Sequence, residues 1–197
     1  STLLLFQAMF LPLLMAQRPS RVTFVGGTHV PWSPPFHYLS EVLLPMLRPM
    51  GISVDATIEK WGFYPRGGGK IQLKINPAHP LKPIRLTERG SLKRIRGLSS
   101  ISNLPRHVAE RQKDQAMKRI QKELNLDSEI NILYNVPSNG PGSFLFLLAE
   151  YEKTTTGFSS LGQRGKSAEE VADEAVDDLK DYLRSEGCID YHLADQL

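Results

Sequence analysis

A glycine pair followed shortly by a proline pair, set between a strand pattern and a helix pattern, constrains the fold of this chain most. Residues 21–25 alternate between polar and apolar side chains, which is typical of a half-buried strand. Gly26 and Gly27 allow backbone angles and close approaches that other residues resist. Ser33 before Pro34 favours a helix that begins here, with Ser33 as its N-cap. A strand, a glycine loop and a helix start in this order suit an anion or a nucleotide, although most such turns are simple connections.

Hydrophobic periodicity predicts helices and strands along the whole chain. The best-marked helix begins with a capping-box pattern at Ser167 and Glu170 and stops before Gly187. In chain order the pattern predicts helix 3–16, strand 21–25, helix 34–49, strands 52–59 and 70–75, one or two strands near 84–97, helix 105–124, strand 130–136, a hairpin of 144–151 and 154–161, and helix 167–185.

Composition is that of a globular protein, with 41% hydrophobic and 23% charged residues among 197. The single cysteine, Cys188, excludes an internal disulfide and favours a reducing compartment, which is the cytoplasm, or the nucleus in a eukaryote. The apolar stretch 3–16 contains Gln7 and Pro12 and is shorter than the roughly 20 residues of a membrane span. It therefore predicts a core helix and no membrane association.

Charge is distributed unevenly along the chain. Residues 82–122 hold twelve Lys or Arg against three acidic residues, whereas residues 169–186 hold eight acidic residues against two bases. A basic face suits a polyanion such as RNA, whose phosphates are bound largely through charge. Two solvated helix faces explain the same pattern equally well.

A second glycine-rich run, residues 61–70, contains Tyr64-Pro65-Arg66 followed by three glycines and precedes an alternating strand, so a simple hairpin also explains it. Together with the first run and the terminal segment 192–196, His-Leu-Ala-Asp-Gln, it forms an ordered set. The chain resembles the RNA 3′-terminal phosphate cyclase family in this set, over essentially its whole length. Further segments that match the family are 86–90, 104–109 and 160–165.

The resemblance implies an α/β (α+β) fold, in which βαβαββ repeats of the cyclase and carboxyvinyl-transferase type carry an inserted small thioredoxin-like domain. It places residues 1–90 in the repeat domain, 91–186 in the inserted domain and 187–197 back in the repeat domain. The family's N-terminal glycine-rich strand is absent. We therefore expect the chain to be the middle of a longer protein or a natural remnant of one.

The resemblance also implies an activity, the ATP-dependent conversion of an RNA 3′-phosphate to a 2′,3′-cyclic phosphodiester. ATP is the co-substrate, RNA 3′ ends are the partners, and a divalent metal, magnesium or manganese, is expected. The family forms a histidine–AMP intermediate on a histidine in a downstream motif, which is expected beyond Leu197. None of the chain's five histidines inherits that role, and His37 and His79 are interpreted as loop or surface residues.

Seven residues match the family's nucleotide-binding positions. His192 can stack on the base, while Asp195 and Gln196 can hydrogen-bond sugar or base edges. The alternative for this run is a plain helix start with Asp190 as its cap, and for Gln7 a structural bond to the backbone. The set is Gln7, Pro34, His192, Leu193, Ala194, Asp195 and Gln196, whereas Ser159 stands where some relatives have an aromatic residue near the nucleotide.

Four arginines are candidates for RNA phosphate contact, because the planar guanidinium fits phosphate better than an ammonium does. They are Arg66, Arg106, Arg111 and Arg164. Two other functions compete with the cyclase. A non-catalytic cyclase-like RNA-binding or ribosome-assembly protein has no need to keep the nucleotide residues, and a carboxyvinyl transferase lacks support in these motifs.

Overall fold

The computed structural model describes residues 1–196, which form two β-sheets and five helical segments. The strands are β1 (Ser20–Gly26), β2 (Val54–Lys60), β3 (Gly69–Ile75), β4 (Leu92–Ser102), β5 (Ser128–Leu133), β6 (Gly142–Tyr151) and β7 (Thr155–Leu161). The helices are α1 (Thr2–Leu14), α2 (36–50), α3 (Arg106–Arg119, continued by a π turn Ile120–Leu124), α4 (Ala168–Arg184) and α5 (Tyr191–Ala194). The predicted α/β (α+β) class is confirmed.

The first sheet has the strand order β1-β3-β2, and both neighbours of β3 run antiparallel to it. Helices α1 and α2 cover one face, where Phe6 and Leu39 pack against Ile71 and Leu73. The order α1-β1-α2-β2-β3 agrees with the last five elements of a βαβαββ unit. Alternation in β3 leaves Gln72 and Lys74 exposed on the other face.

The second sheet has the order β5-β4-β6-β7, in which β4 and β5 are parallel and the other pairs are antiparallel. A parallel pair needs a crossover connection, and α3 supplies it. Helix α4 returns along the same face after β7, where Val171 and Ala175 join the core with Ala116 of α3.

Strand β6 is buried on both faces, because seven consecutive residues, 143–149, are inaccessible. On one face Phe144 and Phe146 pack with His29, His37 and Trp61, and we call this packing the histidine layer. On the other face lie Leu145, Leu147 and Ala149 under α3 and α4, and we call this the aliphatic layer. Strand β6 therefore joins the first sheet with its helices to the second sheet.

The structure corrects the predicted start of α2. The helix begins at Phe36, and Ser33 is not its N-cap, because its hydroxyl hydrogen-bonds the Ser1 hydroxyl instead. Pro34 precedes Pro35, and a residue before proline is driven out of the helical region, so the start moves past both prolines. A π turn, Leu39–Leu43, follows within α2, next to Pro45, which has no N–H to donate to the preceding turn.

Two further predictions differ from the structure, and one is confirmed. Strand β4 is one strand that begins at Leu92, and residues 84–91 are irregular. Helix α4 has the predicted capping box and ends at Arg184, before Gly187, as the sequence predicts. His37 is not a surface residue, because it is enclosed by the aromatic rings of the histidine layer.

The basic and acidic segments of the sequence lie side by side on α3 and α4. The Arg111 guanidinium donates to both carboxylate oxygens of Glu169, at 2.7 and 2.6 Å. About two turns further along the same seam, Arg119 pairs with Asp177 at 2.8 Å. The basic and the acidic segment thus neutralise each other in part.

The second glycine run forms a turn whose glycines serve close backbone packing. Gly67 and Gly68 have φ angles of 55° and 69°, in the left-handed region that glycine adopts without a steric cost. A Cβ on Gly62 would lie 2.3 Å from the Gly26 carbonyl oxygen, so the two glycine runs touch through backbone atoms. The geometry therefore supports the interpretation of residues 61–70 as a hairpin turn.

Candidate nucleotide-binding site

A groove of about 520 Å³ lies between α1, the loop before α2, strand β7 and α5. Such a volume is within the usual range of small-ligand sites. Five of the seven residues predicted for nucleotide binding line it, although they come from three distant parts of the chain. These five are Gln7, Pro34, His192, Asp195 and Gln196.

The other two predicted residues do not line the groove. Leu193 is fully buried and belongs to the core beneath α5. Ala194 is exposed outside the groove. Because α5 is a single helical turn, its successive side chains point in different directions, and only part of a contiguous run can face one ligand.

A buried carboxylate fixes the position of α5. Asp190 is 2% exposed and caps the helix by accepting the Leu193 N–H at 3.0 Å, as the sequence predicts. It also accepts the Tyr38 hydroxyl of α2 at 2.6 Å and the Thr156 hydroxyl of β7. Burial and the Asp190 charge raise the pKa of the Tyr38 hydroxyl far above its usual value, so this group stays a donor. Residues 192–196 are thereby held against two other elements.

Three polar side chains in the groove are available to a ligand. Gln7 is half-buried on α1, and Asp195 and Gln196 follow α5. Within residues 1–196 none of the three side chains hydrogen-bonds another residue of the protein. An amide and a carboxylate can together donate to and accept from the edges of a base or a sugar. The Gln7 side chain therefore does not make the backbone hydrogen bond that the alternative interpretation predicts for it.

The side of the groove formed by β7 and α4 is strongly polar. Lys166 donates to the Ser160 hydroxyl at 3.0 Å and to the Leu161 carbonyl at 3.2 Å, and it pairs with Glu174. Partial desolvation raises the pKa of the Asp178 carboxyl above its usual value. Ser159 lies here as well, so the position offers a small polar side chain rather than an aromatic ring.

The histidine layer lies behind the groove, and its hydrogen bonds fix both imidazole tautomers. The Thr28 hydroxyl accepts the Gly62 N–H at 2.9 Å, and the only acceptor for its own proton among the described residues is His29 Nδ1, at 2.9 Å. His29 Nε2–H therefore donates to His37 Nδ1 at 3.0 Å. The His29 ring stacks on Trp61 with centroids 4.1 Å apart.

Both histidines of this layer are neutral at physiological pH. Burial, reinforced by the neighbouring His37, lowers the pKa of His29 well below 6.5, and burial lowers the pKa of His37 to about 4. The sequence analysis did not anticipate this pair, because the residues that enclose it are separated from it along the chain. The alternation of Trp61, Phe63, Phe144 and Phe146 was the available signal for an aromatic core at this place.

The rim of the groove carries an exposed tryptophan. Trp32 is 95% exposed, and its backbone φ is 59°, in the left-handed region. A bulky residue in this conformation is a genuine outlier. Its neighbours Pro31 and Ser33 also line the groove, so the indole lies at the entrance.

The four predicted RNA-phosphate arginines do not line the groove. The Arg66 guanidinium donates to the Asn139 carbonyl at 2.9 Å, and Arg106 lies 5.0 Å from the centre of the Tyr134 ring. Arg111 is engaged by Glu169. Arg164 is exposed in the loop between β7 and α4.

Neither a metal site nor a membrane span is present in the part of the chain that the structure describes. Among residues 1–196 no group of three or more His, Cys, Asp or Glu side chains is arranged to hold a metal ion. The expected divalent metal therefore has no ligand set among these residues. None of the described helices is long and apolar enough to cross a membrane.

Comparison with known proteins identifies relatives of this chain. A curated protein named RNA 3′-terminal phosphate cyclase from Staphylothermus marinus is 42% identical, over 100% of this chain and 57% of the relative. Relatives of the same name from Gloeothece citriformis and Pseudomonas fluorescens are 37% and 39% identical, over 98% and 100% of this chain and 55% and 56% of their own lengths. The chain spans about half the length of the curated relatives it matches.

The family model described as RNA 3′-terminal phosphate cyclase matches residues 1–197. The match therefore includes both glycine runs, both sheets and the segment that follows Asp190. It confirms the resemblance that those runs and the His-Leu-Ala-Asp-Gln segment indicated. The chain belongs to the RNA 3′-terminal phosphate cyclase family.

Proposed function

We propose that this chain forms the nucleotide-binding part of an enzyme that uses ATP to convert an RNA 3′-phosphate to a 2′,3′-cyclic phosphodiester. The observation that carries the proposal is the groove, in which Gln7, Pro34, His192, Asp195 and Gln196 converge. The shared name of the relatives supports the choice of RNA 3′ ends as substrates, and membership of the family supports ATP as the co-substrate. A location in the cytoplasm belongs to the same proposal.

The groove residues bind and orient ATP in this proposal. Pro34 and the exposed His192 ring offer flat surfaces to the adenine, and Gln7 and Gln196 hydrogen-bond base or sugar edges. Asp190 positions His192 and Gln196 by anchoring α5. A fixed geometry of this kind lowers the entropic cost of holding the reacting phosphate in place.

The nucleophile that accepts AMP is a histidine outside this chain in the proposal. A histidine nucleophile needs an exposed, unprotonated ring nitrogen. His29 is 1% exposed and its two ring nitrogens are occupied by Thr28 and His37. The family motif of the nucleophile matches none of the chain's histidines.

The division of the chain into parts is proposed together with the function. We assign residues 1–90 to the repeat domain, 91–186 to an inserted α/β domain and 187–197 to the repeat domain again. The second sheet begins at Leu92 and α4 ends at Arg184, which supports these limits within residues 1–196. The extensive contact through β6 implies that the two parts share one core.

Equilibrium binding of labelled ATP to the chain tests the groove. We expect Gln196→Ala to weaken binding about tenfold, because one hydrogen bond in a partly buried site contributes about 1–3 kcal/mol. The matched control is Gln121→Ala, an exposed glutamine that does not line the groove. Equal ATP affinity in the two variants would contradict the assignment, and a lower melting temperature of Gln196→Ala would indicate a structural role.

A second measurement tests the place of the nucleophile. ATP labelled in its α-phosphate is incubated with the chain, which is then denatured and separated from free nucleotide. We expect no label on the protein, because the family nucleophile is not among its histidines. Label that survives denaturation would overturn this point. A third measurement distinguishes the enzyme from a non-catalytic RNA-binding protein. A full-length family member that carries this segment should form the cyclic phosphate, and Gln196→Ala should abolish that activity.

A further inference from the structure

Trp32 is the largest apolar side chain of this protein that contributes to no core. It is 95% exposed, whereas the only other tryptophan, Trp61, is 4% exposed and stacked on His29. Neither hydrophobic cluster includes Trp32. An indole in water gives up the burial that normally accounts for the presence of a large aromatic residue.

The backbone at Trp32 adds a second cost. Its φ of 59° lies in the left-handed region, where a side chain with a Cβ crowds the following carbonyl. Glycine or asparagine would adopt this conformation more easily. A strained and exposed aromatic residue persists where a function requires it, and such outliers cluster at ligand clamps.

The backbone of the loop restricts where the indole stands at the entrance of the groove. The loop is closed at its base, where Phe36 N–H donates to the Thr28 carbonyl at 3.1 Å. Pro31 and Pro34 restrict the backbone on both sides of Trp32. Little backbone entropy is therefore lost in this loop when a ligand binds.

We propose that Trp32 is a stacking platform for a nucleobase of a nucleotide that occupies the groove. A base offers a flat π face to the indole, and its polar edge meets the amides of Gln7 and Gln196 in the same groove. The proposal rests on the proposed function only in taking a nucleotide as the ligand. Two nucleotides supply this chemistry, namely ATP through its adenine and RNA through the base at its 3′ end.

The two tryptophans make the test direct, because their emission differs. Trp32 gives the red-shifted, acrylamide-accessible emission of an indole in water, and Trp61 gives the emission of a buried ring. The chain is titrated in one arm with ATP and in the other with a short single-stranded RNA that carries a 3′-phosphate. We expect quenching of the exposed emission and protection from acrylamide in at least one arm.

Two variants separate stacking from a structural effect. Trp32→Asn suits the left-handed backbone but removes the ring, and we expect binding in the responding arm to weaken about 5- to 150-fold, the range of one lost base–aromatic stack. Trp32→Phe keeps a ring and should stay within about threefold of the wild type. Both variants should melt at the wild-type temperature or above, because no core contact is lost.

Each result decides the proposal. A response to ATP alone identifies adenine as the stacked base, and a response to RNA alone identifies the RNA base. If nucleotides bind but the exposed emission does not change and Trp32→Asn keeps its affinity, the stacking role is overturned while the proposed function stands. If neither nucleotide binds the wild-type chain at millimolar concentration, both are overturned.

Discussion

The two layers on either side of β6 are built from different chemistry. The histidine layer contains the hydrogen-bonded imidazoles of His29 and His37 among aromatic rings, and it lies behind the groove. The aliphatic layer contains Leu145, Leu147 and Ala149, and its ionic groups lie at the rim between α3 and α4. Buried polar groups that satisfy one another specify a unique arrangement, whereas aliphatic packing mainly supplies stability. The imidazole pair thus lies on the side of β6 next to the groove, whereas the buried polar group on the α3 side, in which Gln112 bonds Ser99 and Ser143, lies away from it.

Neighbouring residues of β6 give the largest test of this comparison. We expect Phe144→Ala and Leu145→Ala each to lower the free energy of unfolding by about 3–4 kcal/mol, because both side chains are fully buried. Only Phe144 lines the groove and contacts His29, at 4.6 Å between ring centroids. Below the unfolding transition, Phe144→Ala should therefore also weaken ATP binding, and Leu145→Ala should not.

Urea denaturation and ATP titration of both variants at low temperature give the two readouts. Leu145→Ala serves as the control for general destabilisation, since it removes a comparable apolar group from the opposite face. Equal losses of ATP affinity in the two variants would show that the layers do not differ in their relation to the groove.

The pH dependence of stability distinguishes the layers next. The lowered pKa values of His29 and His37 mean that the unfolded chain binds more protons than the folded one between pH 6.5 and about 4. Stability is therefore fully present above pH 6.5 and falls as the pH is lowered through this window. His37 alone, with a pKa of about 4, contributes a loss of about 3 kcal/mol.

The rim of the aliphatic layer titrates in a lower window. Hydrogen bonds from Arg119 and Lys180 lower the pKa of the Glu123 carboxyl to about 2, so its contribution is lost only below pH 4.5. We expect His37→Gln, whose amide oxygen can accept the His29 Nε2–H, to reduce the slope in the upper window and leave the lower window unchanged, because His29 stays buried and supplies the remaining slope. Urea midpoints measured from pH 7 to pH 3 check this, and an unchanged slope between pH 6.5 and 4 would be the contrary result.

The smallest effect is expected at the rim ion pairs. Arg119 pairs with Glu123 at 2.6 Å, with Asp177 at 2.8 Å and with Asp173 at 3.2 Å, and these carboxylates are partly exposed. Pairs of this kind contribute about 0.2–1 kcal/mol each, so Arg119→Met, which breaks all three pairs but keeps much of the apolar stem, should cost about 1–2 kcal/mol in 0.1 M salt. The cost should shrink in 1 M salt because the pairs are screened. A loss above 2 kcal/mol that salt does not change would show that this rim is more than a solvated seam.

Local signals predicted the elements, and contacts between distant segments escaped prediction. The capping box at Ser167 and Glu170 and the cap at Asp190 are confirmed because each depends on neighbouring residues. Ser33 failed as a cap because two consecutive prolines restrict the backbone more strongly than a hydroxyl favours a helix start. Of the seven residues that the family motifs predicted for nucleotide binding, five line one groove.

Long-range partners decided the rest. Asp190 accepts from Tyr38 and Thr156, which lie far from it in sequence, and periodicity carries no information about such pairs. Arg89 gives another example, since it donates to the carbonyls of Leu183 and Ser185 at the end of α4. Cations satisfy the free carbonyls of a helix C-terminus, but the sequence does not show which arginine reaches them.

The double burial of β6 has a consequence for the solubility of partial chains. Residues 143–149 contain no charged side chain and no proline, and they are rich in phenylalanine and leucine, the composition that favours intermolecular strand pairing. Within the folded chain, β4 and β7 occupy both edges of this strand and the two layers cover both faces. A piece limited to 91–186 would keep the edges covered but expose Phe144, Phe146 and Leu148. Residues 1–90 therefore also protect β6 from intermolecular pairing, since they cover the face of β6 that completes their own core.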